Sequence, residues 1–178
     1  MPRKVLRRYE GGCAVMFKIP KQVEFTHIAV IQTAGELKWL VANPLDYHLT
    51  LQFIGRDVSA RRLASVIVAA FALVTADDWA PVTLRFTGRF LALKTFKNHS
   101  IVAEVENGPV LQSVRKRLRD RLAEMDVNPK DDFGDHPHVT IARAPIEAKP
   151  LEPPRPIGPF MIACDELSVK YGPHRMTV

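Results

Sequence analysis

The chain has few cysteines and no long hydrophobic run, and both absences narrow its class. Its 178 residues include only Cys13 and Cys164, so one disulfide at most is possible. Without secretory features, two buried reduced thiols are expected. The longest nearly apolar stretch, 63–74, is too short to span a bilayer, and the basic residues 1–8 are not followed by the hydrophobic stretch of a signal peptide. These features predict a cytoplasmic protein with no membrane partner.

The composition is that of an ordinary globular protein with an excess of positive charge. Hydrophobic residues make up 47% and charged residues 25% of the chain. Its length of 178 residues predicts one domain spanning 1–178. The net charge is +6 and the pI is about 9.5. This charge favours an anionic partner, nucleic acid or nucleotide, although solubility alone could account for it.

The hydrophobic pattern predicts an α+β fold. Apolar and polar residues alternate over strands at 14–19, 37–42, 47–54, 82–87, 89–95, 100–105, 138–144 and 160–171. Helical spacing predicts helices over 21–34, about 57–76 and 109–125. Six prolines predict an extended surface connection over 145–159. Neighbouring strands joined by short turns indicate antiparallel pairing.

One short motif occurs twice in matching surroundings. His-Leu-Thr at 48–50 returns as His-Val-Thr at 138–140, ninety residues later. Each copy lies in a predicted strand that follows a helix-containing segment. A single His-x-Thr is a weak signal, whereas two copies in the same strand context predict a shared cleft between two similar lobes.

Strand geometry predicts which side chains of each copy point together. Residues at i and i+2 share a face of a strand, so His48 and Thr50 project together. Under strict alternation Leu49, Leu51 and Phe53 point the other way, into the core.

The second copy follows the same logic. His138 and Thr140 share one face while Val139 and Ile141 are buried. Strict alternation places Arg143 on the face opposite His138 unless a strand end or a bulge turns it inward. The first copy has Phe53 where the second has Arg143.

The two stretches His48-Leu49-Thr50-Leu51-Gln52-Phe53-Ile54-Gly55 and His136-Pro137-His138-Val139-Thr140-Ile141-Ala142-Arg143 resemble the two signatures of the 2H phosphoesterase superfamily. The similarity is greatest to RNA 2′,3′-cyclic phosphodiesterases, also known as 2′-5′ RNA ligases. The resemblance implies a bilobal α+β fold, with two pseudo-symmetric lobes of antiparallel strands and flanking helices around a central cleft. It also implies chemistry without a metal or other cofactor.

The resemblance assigns roles to five residues. His48 is expected to be the general acid and His138 the general base, although the symmetry of the motifs leaves that direction open. Thr50 and Thr140 are expected to hydrogen-bond the non-bridging phosphate oxygens, and Arg143 to contact the phosphate. Histidine suits both proton-transfer roles because its unperturbed pKa is near ~6.5.

The predicted activity is opening of a nucleoside 2′,3′-cyclic phosphate at an RNA end, leaving a 2′-phosphate. Two alternatives remain open: cleavage of 2′-5′-linked or cyclic oligonucleotides, and a nucleotide- or RNA-binding protein of the same fold without turnover. The expected partners are RNA ends or nucleotides, and a monomer is assumed.

Other candidate residues have weaker support. His136 and His138 have a His-x-His spacing that can bind a metal, but a structural role for His136 is favoured. His27, His99 and His174 are expected at the surface or in local hydrogen bonds.

Aromatic and basic side chains could also contact RNA. The candidates for base stacking are Tyr47, Phe17, Trp39 and Tyr171, most of them expected in the core. The basic helix residues 115–121 could guide RNA, although a solvated helix face is the commoner explanation.

Overall fold

The computed structural model describes residues 12–20, 40–41, 47–95, 98–129, 136–150 and 152–178. Several predicted features lie outside the described residues: the basic residues 1–8, the helix predicted over 21–34, His27 and Trp39.

The described residues form nine strands and two helices. The strands are β1 (Cys13–Lys18), β2 (Leu40–Val41), β3 (His48–Gly55), β4 (Val82–Lys94), β5 (Asn98–Val105), β6 (His138–Pro145), β7 (Phe160–Cys164), β8 (Leu167–Tyr171) and β9 (His174–Thr177). The helices are α1 (Ala60–Val74) and α2 (Pro109–Glu124).

All nine strands belong to one antiparallel sheet. Its order is β7-β4-β5-β6-β3-β1-β8-β9, and β2 pairs with β6 outside this path. The two motif strands, β3 and β6, are therefore neighbours, with three further strands on either side. This arrangement confirms the predicted α+β class, while the division into two lobes stays a prediction.

Both helices begin and end close to their predicted limits and pack on the sheet. The Ser59 side chain caps α1 by accepting a hydrogen bond from the Arg62 backbone N–H at 3.2 Å. Pro109 starts α2, where its missing N–H costs no helical hydrogen bond. The helices contact each other, α1 also contacts β1 and β8, and α2 contacts β3 and β4. None of the helices in the described residues is long and apolar enough to cross a membrane.

The single strand predicted over 160–171 is wrong, because the structure divides it into two strands with different partners. Cys164 of β7 lies opposite Val82 of β4, and Leu167 of β8 lies opposite Phe17 of β1. Three Cα–Cα steps separate Cys164 from Leu167, a reach of at most about 11 Å. The sheet must therefore roll until strands from its two halves approach each other. Alternation along the chain predicts a strand but cannot say which strand pairs with it.

The strands predicted over 82–87 and 89–95 are one long strand, β4, with an irregular step at Gly88. Gly88 has a φ of 79°, and a Cβ there would collide with the Ile157 carbonyl. The Ile157 N–H donates to the Gly88 carbonyl at 2.9 Å. This contact holds the proline-rich connection against the sheet.

Both cysteines are free and buried, as predicted. Burial raises the pKa of the Cys13 thiol to about 11 and that of Cys164 to about 12. Both thiols are therefore protonated at neutral pH.

Candidate functional site

The centre of the candidate site is the contact between β3 and β6. Leu49 lies opposite Val139 in this antiparallel pair, and both are fully buried. Because the two strands run in opposite directions, His48 lies across from Thr140 and Thr50 lies across from His138. Opposite residues share a face of the sheet, with Cβ atoms roughly 4.5–5.5 Å apart. Each histidine therefore faces the threonine of the other motif.

The histidines lie on the face of the sheet that is turned away from α1 and α2. Gln52 lies on the opposite face, where it is buried opposite Val15. Its side-chain oxygen accepts a hydrogen bond from Arg119 of α2 at 3.1 Å. His48 and Thr50 are half-buried on the other face.

Each motif strand contains a β-bulge one residue after its threonine. In β3, Thr50 lies opposite Met16 and Gln52 opposite Val15, so Leu51 is the extra residue. A bulge shifts the alternation of every residue that follows it.

The same irregularity occurs at the equivalent position of β6. Thr140 lies opposite Val102 and Ala142 opposite Ile101, so Ile141 is the extra residue. The two bulges are thus at matching positions of the two motifs.

The bulge at Ile141 places Arg143 on the same face as His138. Ser100 and Glu104 alternate with even spacing along β5 and so share a face, and they lie opposite Arg143 and His138 respectively. Arg143 is exposed and one same-face step beyond Thr140. The structure thus contains the bulge that a contact between Arg143 and phosphate requires.

The bulge at Leu51 overturns the prediction that Phe53 points into the core. Phe53 lies opposite Ala14, on the face that also carries Met16 opposite Thr50. Its half-buried ring lies against Gly12, where a Cβ would collide with it. Strict alternation failed because the extra residue reverses the side on which Phe53 emerges.

The two bulges give the site different ends. On one side Arg143 extends beyond the pair formed by Thr140 and His48. On the other side Phe53 extends beyond the pair formed by Thr50 and His138. A bound phosphodiester between the histidines would have a guanidinium at one end and an aromatic ring at the other.

His138 has a defined tautomer. Its Nδ1 lies 2.7 Å from the backbone carbonyl oxygen of His136. A carbonyl oxygen only accepts hydrogen bonds, so Nδ1 carries a proton. In the neutral ring Nε2 then has a lone pair and can accept a proton. The exposed His136 thus contributes its main chain to the site.

A carboxylate lies beside His138. Glu104 is opposite His138 on β5, and its Oε2 accepts hydrogen bonds from the Thr87 hydroxyl and from Arg89 Nε, each at 2.7 Å. The bond from Thr87, followed by those from Arg89 and by the charge of His136, holds the pKa of Glu104 below its ordinary value, against a smaller opposing effect of burial. Glu104 therefore keeps its negative charge near His138 at neutral pH.

The neighbours of His48 are mainly cationic. Lys18 lies opposite His48 on β1, and Arg175 Nη2 is 3.4 Å from His48 Nδ1. Glu166 Oε1 accepts hydrogen bonds from Lys18 Nζ at 2.9 Å and from Thr177 at 3.0 Å. Those hydrogen bonds and the charges of Lys18 and Arg175 lower the pKa of Glu166, against the opposing effect of burial.

Helix α2 supports the bulge of β3. Arg115 is only 4% exposed, and its Nη2 donates to the Thr50 carbonyl at 3.3 Å. Its Nη1 donates to Asn107 Oδ1 at 3.5 Å. With Arg119 bound to Gln52, two arginines of α2 hold residues on either side of the extra residue Leu51.

The remaining basic residues of this helix are paired with carboxylates. These pairs are Lys116–Asp120 at 2.6 Å, Arg117–Asp78 at 2.7 Å and Arg121–Glu124 at 3.0 Å. These pairs at the surface agree with a solvated helix face.

Most of the other candidate residues lie away from this face or in the core. Phe17 and Tyr47 are buried, and the Tyr171 hydroxyl donates to the Val58 carbonyl at 2.9 Å. His99 is buried, with Nε2 3.0 Å from the Ile146 carbonyl oxygen. His174 is exposed. Among the described residues, no three His, Cys, Asp or Glu side chains are grouped as a metal site requires.

The sequence interpretation did not find three residues near the motifs. Phe53 could have been placed only by knowing the bulge at Leu51, and no local sequence signal marks it. Glu104 and Arg175 come from strands β5 and β9, and only the strand pairing brings them to His138 and His48.

Comparison with known proteins gives the chain a family and a fold. A family model described as the 2′-5′ RNA ligase superfamily matches residues 17–153. Among curated protein sequences, none matches this chain.

Three solved structures share its fold at low sequence identity. TT0787 of Thermus thermophilus is 19% identical, with a TM-score of 0.63 and 94% of each chain covered. Escherichia coli LigT, solved in complex with 3′-AMP, is 17% identical with a TM-score of 0.56, covering 94% of this chain and 93% of LigT. Usb1 of Kluyveromyces marxianus is 11% identical with a TM-score of 0.58, covering 93% of this chain and 96% of Usb1.

Proposed function

Since this chain belongs to the 2′-5′ RNA ligase superfamily of 2H phosphoesterases, we propose that it is a phosphodiesterase that opens nucleoside 2′,3′-cyclic phosphates at RNA ends. The observation that carries the proposal is the register of β3 and β6, which sets Leu49 opposite Val139. This register places each histidine across from the threonine of the other motif. Two proton-transfer groups and two hydroxyls then surround one position on the sheet.

The proposed reaction uses His138 as the base and His48 as the acid. His138 Nε2 takes a proton from water while the water oxygen forms a bond to phosphorus. The P–O3′ bond breaks on the opposite side, and His48 gives a proton to the departing 3′ oxygen. The products are a 2′-phosphate and a free 3′ hydroxyl. The hydrogen bond from His138 Nδ1 to the His136 carbonyl supports this direction, because it leaves Nε2 free to accept a proton.

Three other residues are proposed to stabilise the transition state. The Thr50 and Thr140 hydroxyls donate to the non-bridging oxygens, where negative charge grows. Arg143 offers a planar pair of donors that suits a phosphate. No cofactor or metal takes part in these steps. That LigT has been solved with 3′-AMP supports a nucleotide as the ligand of this fold.

The proposal is tested by a substrate panel with the product phosphate located by NMR. The panel contains 2′,3′-cyclic nucleotides, RNA with a cyclic phosphate end, 2′-5′ oligoadenylate and cyclic oligonucleotides. We expect turnover of the 2′,3′-cyclic compounds to 2′-phosphates, and unchanged rates with excess chelator. Turnover of only the 2′-5′-linked or cyclic oligonucleotides would assign the site to those substrates. Binding without turnover of any member would make the protein a nucleotide-binding one.

A further inference from the structure

Arg175 contacts a proposed catalytic residue from outside the region that defines the family. It lies on the last strand, β9, where it pairs with Lys170 of β8, whereas the family model ends at residue 153. Strands β8 and β1 separate β9 from β3, and Arg175 Nη2 nevertheless lies 3.4 Å from His48 Nδ1. The contact therefore involves a residue outside the part of the chain that the family model matches.

The chemistry of this contact defines its hydrogen bonding. A guanidinium has five donors and no acceptor, so a hydrogen bond from Arg175 to His48 Nδ1 requires that Nδ1 has no proton. A neutral imidazole in that state has its proton on Nε2. His138 has the opposite arrangement, with the proton on Nδ1.

The resting arrangement of His48 is not the one that its proposed role needs. A histidine that donates a proton from Nε2 as a general acid must carry protons on both nitrogens beforehand. With Arg175 on Nδ1 the second proton is opposed, and Lys18 across the strand adds another positive charge. Among the described residues, Glu166 pairs with Lys18, and His138 lies diagonally from His48 on β6.

A phosphate is a better acceptor for Arg175 than a neutral imidazole. Arginine forms its strongest hydrogen bonds with planar or tetrahedral oxyanions, often through two N–H groups at once. A phosphate bound between the motif strands would lie next to His48 and therefore within reach of the same guanidinium. Its charge would also favour protonation of His48.

We propose that Arg175 is a phosphate-binding residue of this site. Its guanidinium donates to His48 Nδ1 until an anionic phosphate replaces the imidazole as the acceptor. The inference rests on the proposed function, since it adds a second guanidinium to the phosphate site of that reaction. Release of Nδ1 by phosphate then lets His48 take a second proton from solvent on Nδ1, so that it can donate the proton on Nε2 and keep the one on Nδ1. Substrate binding and activation of the acid are thereby coupled through one side chain.

The first test is long-range ¹H–¹⁵N NMR of the full chain, with inorganic phosphate as the probe. Without phosphate we expect His48 to have its proton on Nε2 and none on Nδ1. Added phosphate should protonate Nδ1. In Arg175→Met the fraction of His48 that has a proton on Nδ1 before phosphate is added should rise. A wild-type His48 that has its proton on Nδ1 without phosphate would overturn the proposal.

The second test compares phosphate affinity by calorimetry in Arg175→Met and Arg121→Met. Arg121 is a matched control because it is also an arginine, but it lies on the exposed face of α2, where it pairs with Glu124. Arg175→Met should weaken phosphate binding about tenfold, Arg175→Lys should recover part of the loss, and Arg121→Met should bind as the wild type does. Equal affinities in the two methionine variants would refute the role of Arg175.

Kinetics separate this inference from the proposed function. Arg175→Met removes a positive charge beside His48 and so makes His48 easier to protonate. The alkaline limb of the kcat/KM pH profile, where the acid loses its proton, should therefore move to higher pH. A profile that does not move contradicts the inference. A wild-type protein that shows the NMR and affinity effects but turns over no member of the substrate panel would contradict the proposed function alone.

Discussion

At the scale of single residues, two similar histidines differ through the groups that contact their Nδ1 atoms. His138 donates to a main-chain carbonyl, whereas His48 faces a guanidinium. A carboxylate, Glu104, lies opposite His138, and an ammonium group, Lys18, lies opposite His48. The motifs share their histidine and threonine, and these neighbours make the two histidines unequal in chemistry.

Removal of either histidine should abolish most of the activity. We expect His48→Ala or His138→Ala to lower kcat by about 10²–10⁴, the usual contribution of a positioned acid or base. The double variant should lose little more than the worse single variant, because the two groups act in one step. Steady-state kinetics on a 2′,3′-cyclic nucleotide measure this, with Arg121→Met as the control. Full turnover by both single variants would exclude the catalytic pair.

The threonine hydroxyls should matter more for the transition state than for binding. Thr140→Val keeps the shape of the side chain and removes its donor, so we expect kcat to fall by about 10²–10³ with a smaller change in KM. Thr140→Ser restores a hydroxyl and should recover most of the rate. The idea fails if valine and serine have the same kcat.

At the scale of secondary-structure elements, the paired bulges determine which side chains reach the site. The extra residues Leu51 and Ile141 bring Phe53 and Arg143 to the face of the histidines. A bulge also leaves main-chain groups without a ladder partner. In β3 the Thr50 carbonyl is satisfied by the buried Arg115.

Helix α2 should therefore stabilise both the fold and the site. Arg115→Met removes the donor to the part-buried Thr50 carbonyl, and we expect the free energy of unfolding to fall by about 1–3 kcal/mol. Activity at a temperature where the variant is folded should fall through kcat, because Thr50 is displaced. Urea denaturation and kinetics measure the two effects.

Arg121→Met is the matched control on the same helix, since Arg121 is exposed and pairs with Glu124. It should change stability by less than about 0.5 kcal/mol. Equal losses in the two variants would mean that the contact with Thr50 has no special importance.

At the scale of the whole molecule, the residues that the structure describes form one rolled sheet with two helices packed on it. The two-residue connection Asp165-Glu166 links a strand paired with β4 to one paired with β1. It also supplies the carboxylate that holds Lys18 near His48. The rolling of the sheet and the position of Lys18 beside His48 therefore depend on the same short segment.

Acid should destabilise the protein through Glu104 and Glu166. The pKa of each is lowered in the fold from its ordinary value of 4.5. Each thus contributes stability that is present above 4.5 and is lost as the pH falls through its folded pKa. Urea midpoints should drop over that range, and less steeply in Glu104→Gln and Glu166→Gln. An unchanged slope in both variants would contradict this assignment.

Thiol reactivity should report unfolding of the whole domain. Cys13 and Cys164 are both fully buried, with pKa values raised to about 11 and about 12 by burial. At neutral pH we expect negligible alkylation of the native protein and rapid alkylation of both thiols in urea. Mass spectrometry measures the labelling, and fast modification of the native protein would show that the core opens locally.

Much of the fold and the centre of the site were predictable from the sequence. Alternation and helical spacing identified the motif strands and both described helices, because these periods depend on local geometry. The repeated His-x-Thr also predicted that the histidine and the threonine of each copy share a face, since residues at i and i+2 do so in any strand. Phe53 was misplaced because a bulge leaves no mark in the local pattern.

The sequence by itself determined the α+β class, the two motifs and the family to which they belong. Only the tertiary structure decided that β3 and β6 are neighbours in a register that crosses the motifs. It also decided that residues 160–171 divide between two parts of the sheet, and that Arg175 and Glu104 lie beside different histidines. The physical reason is distance along the chain. The alternation of side chains within a strand depends on the local backbone, whereas strand pairing and the charges around each histidine depend on strands distant in sequence.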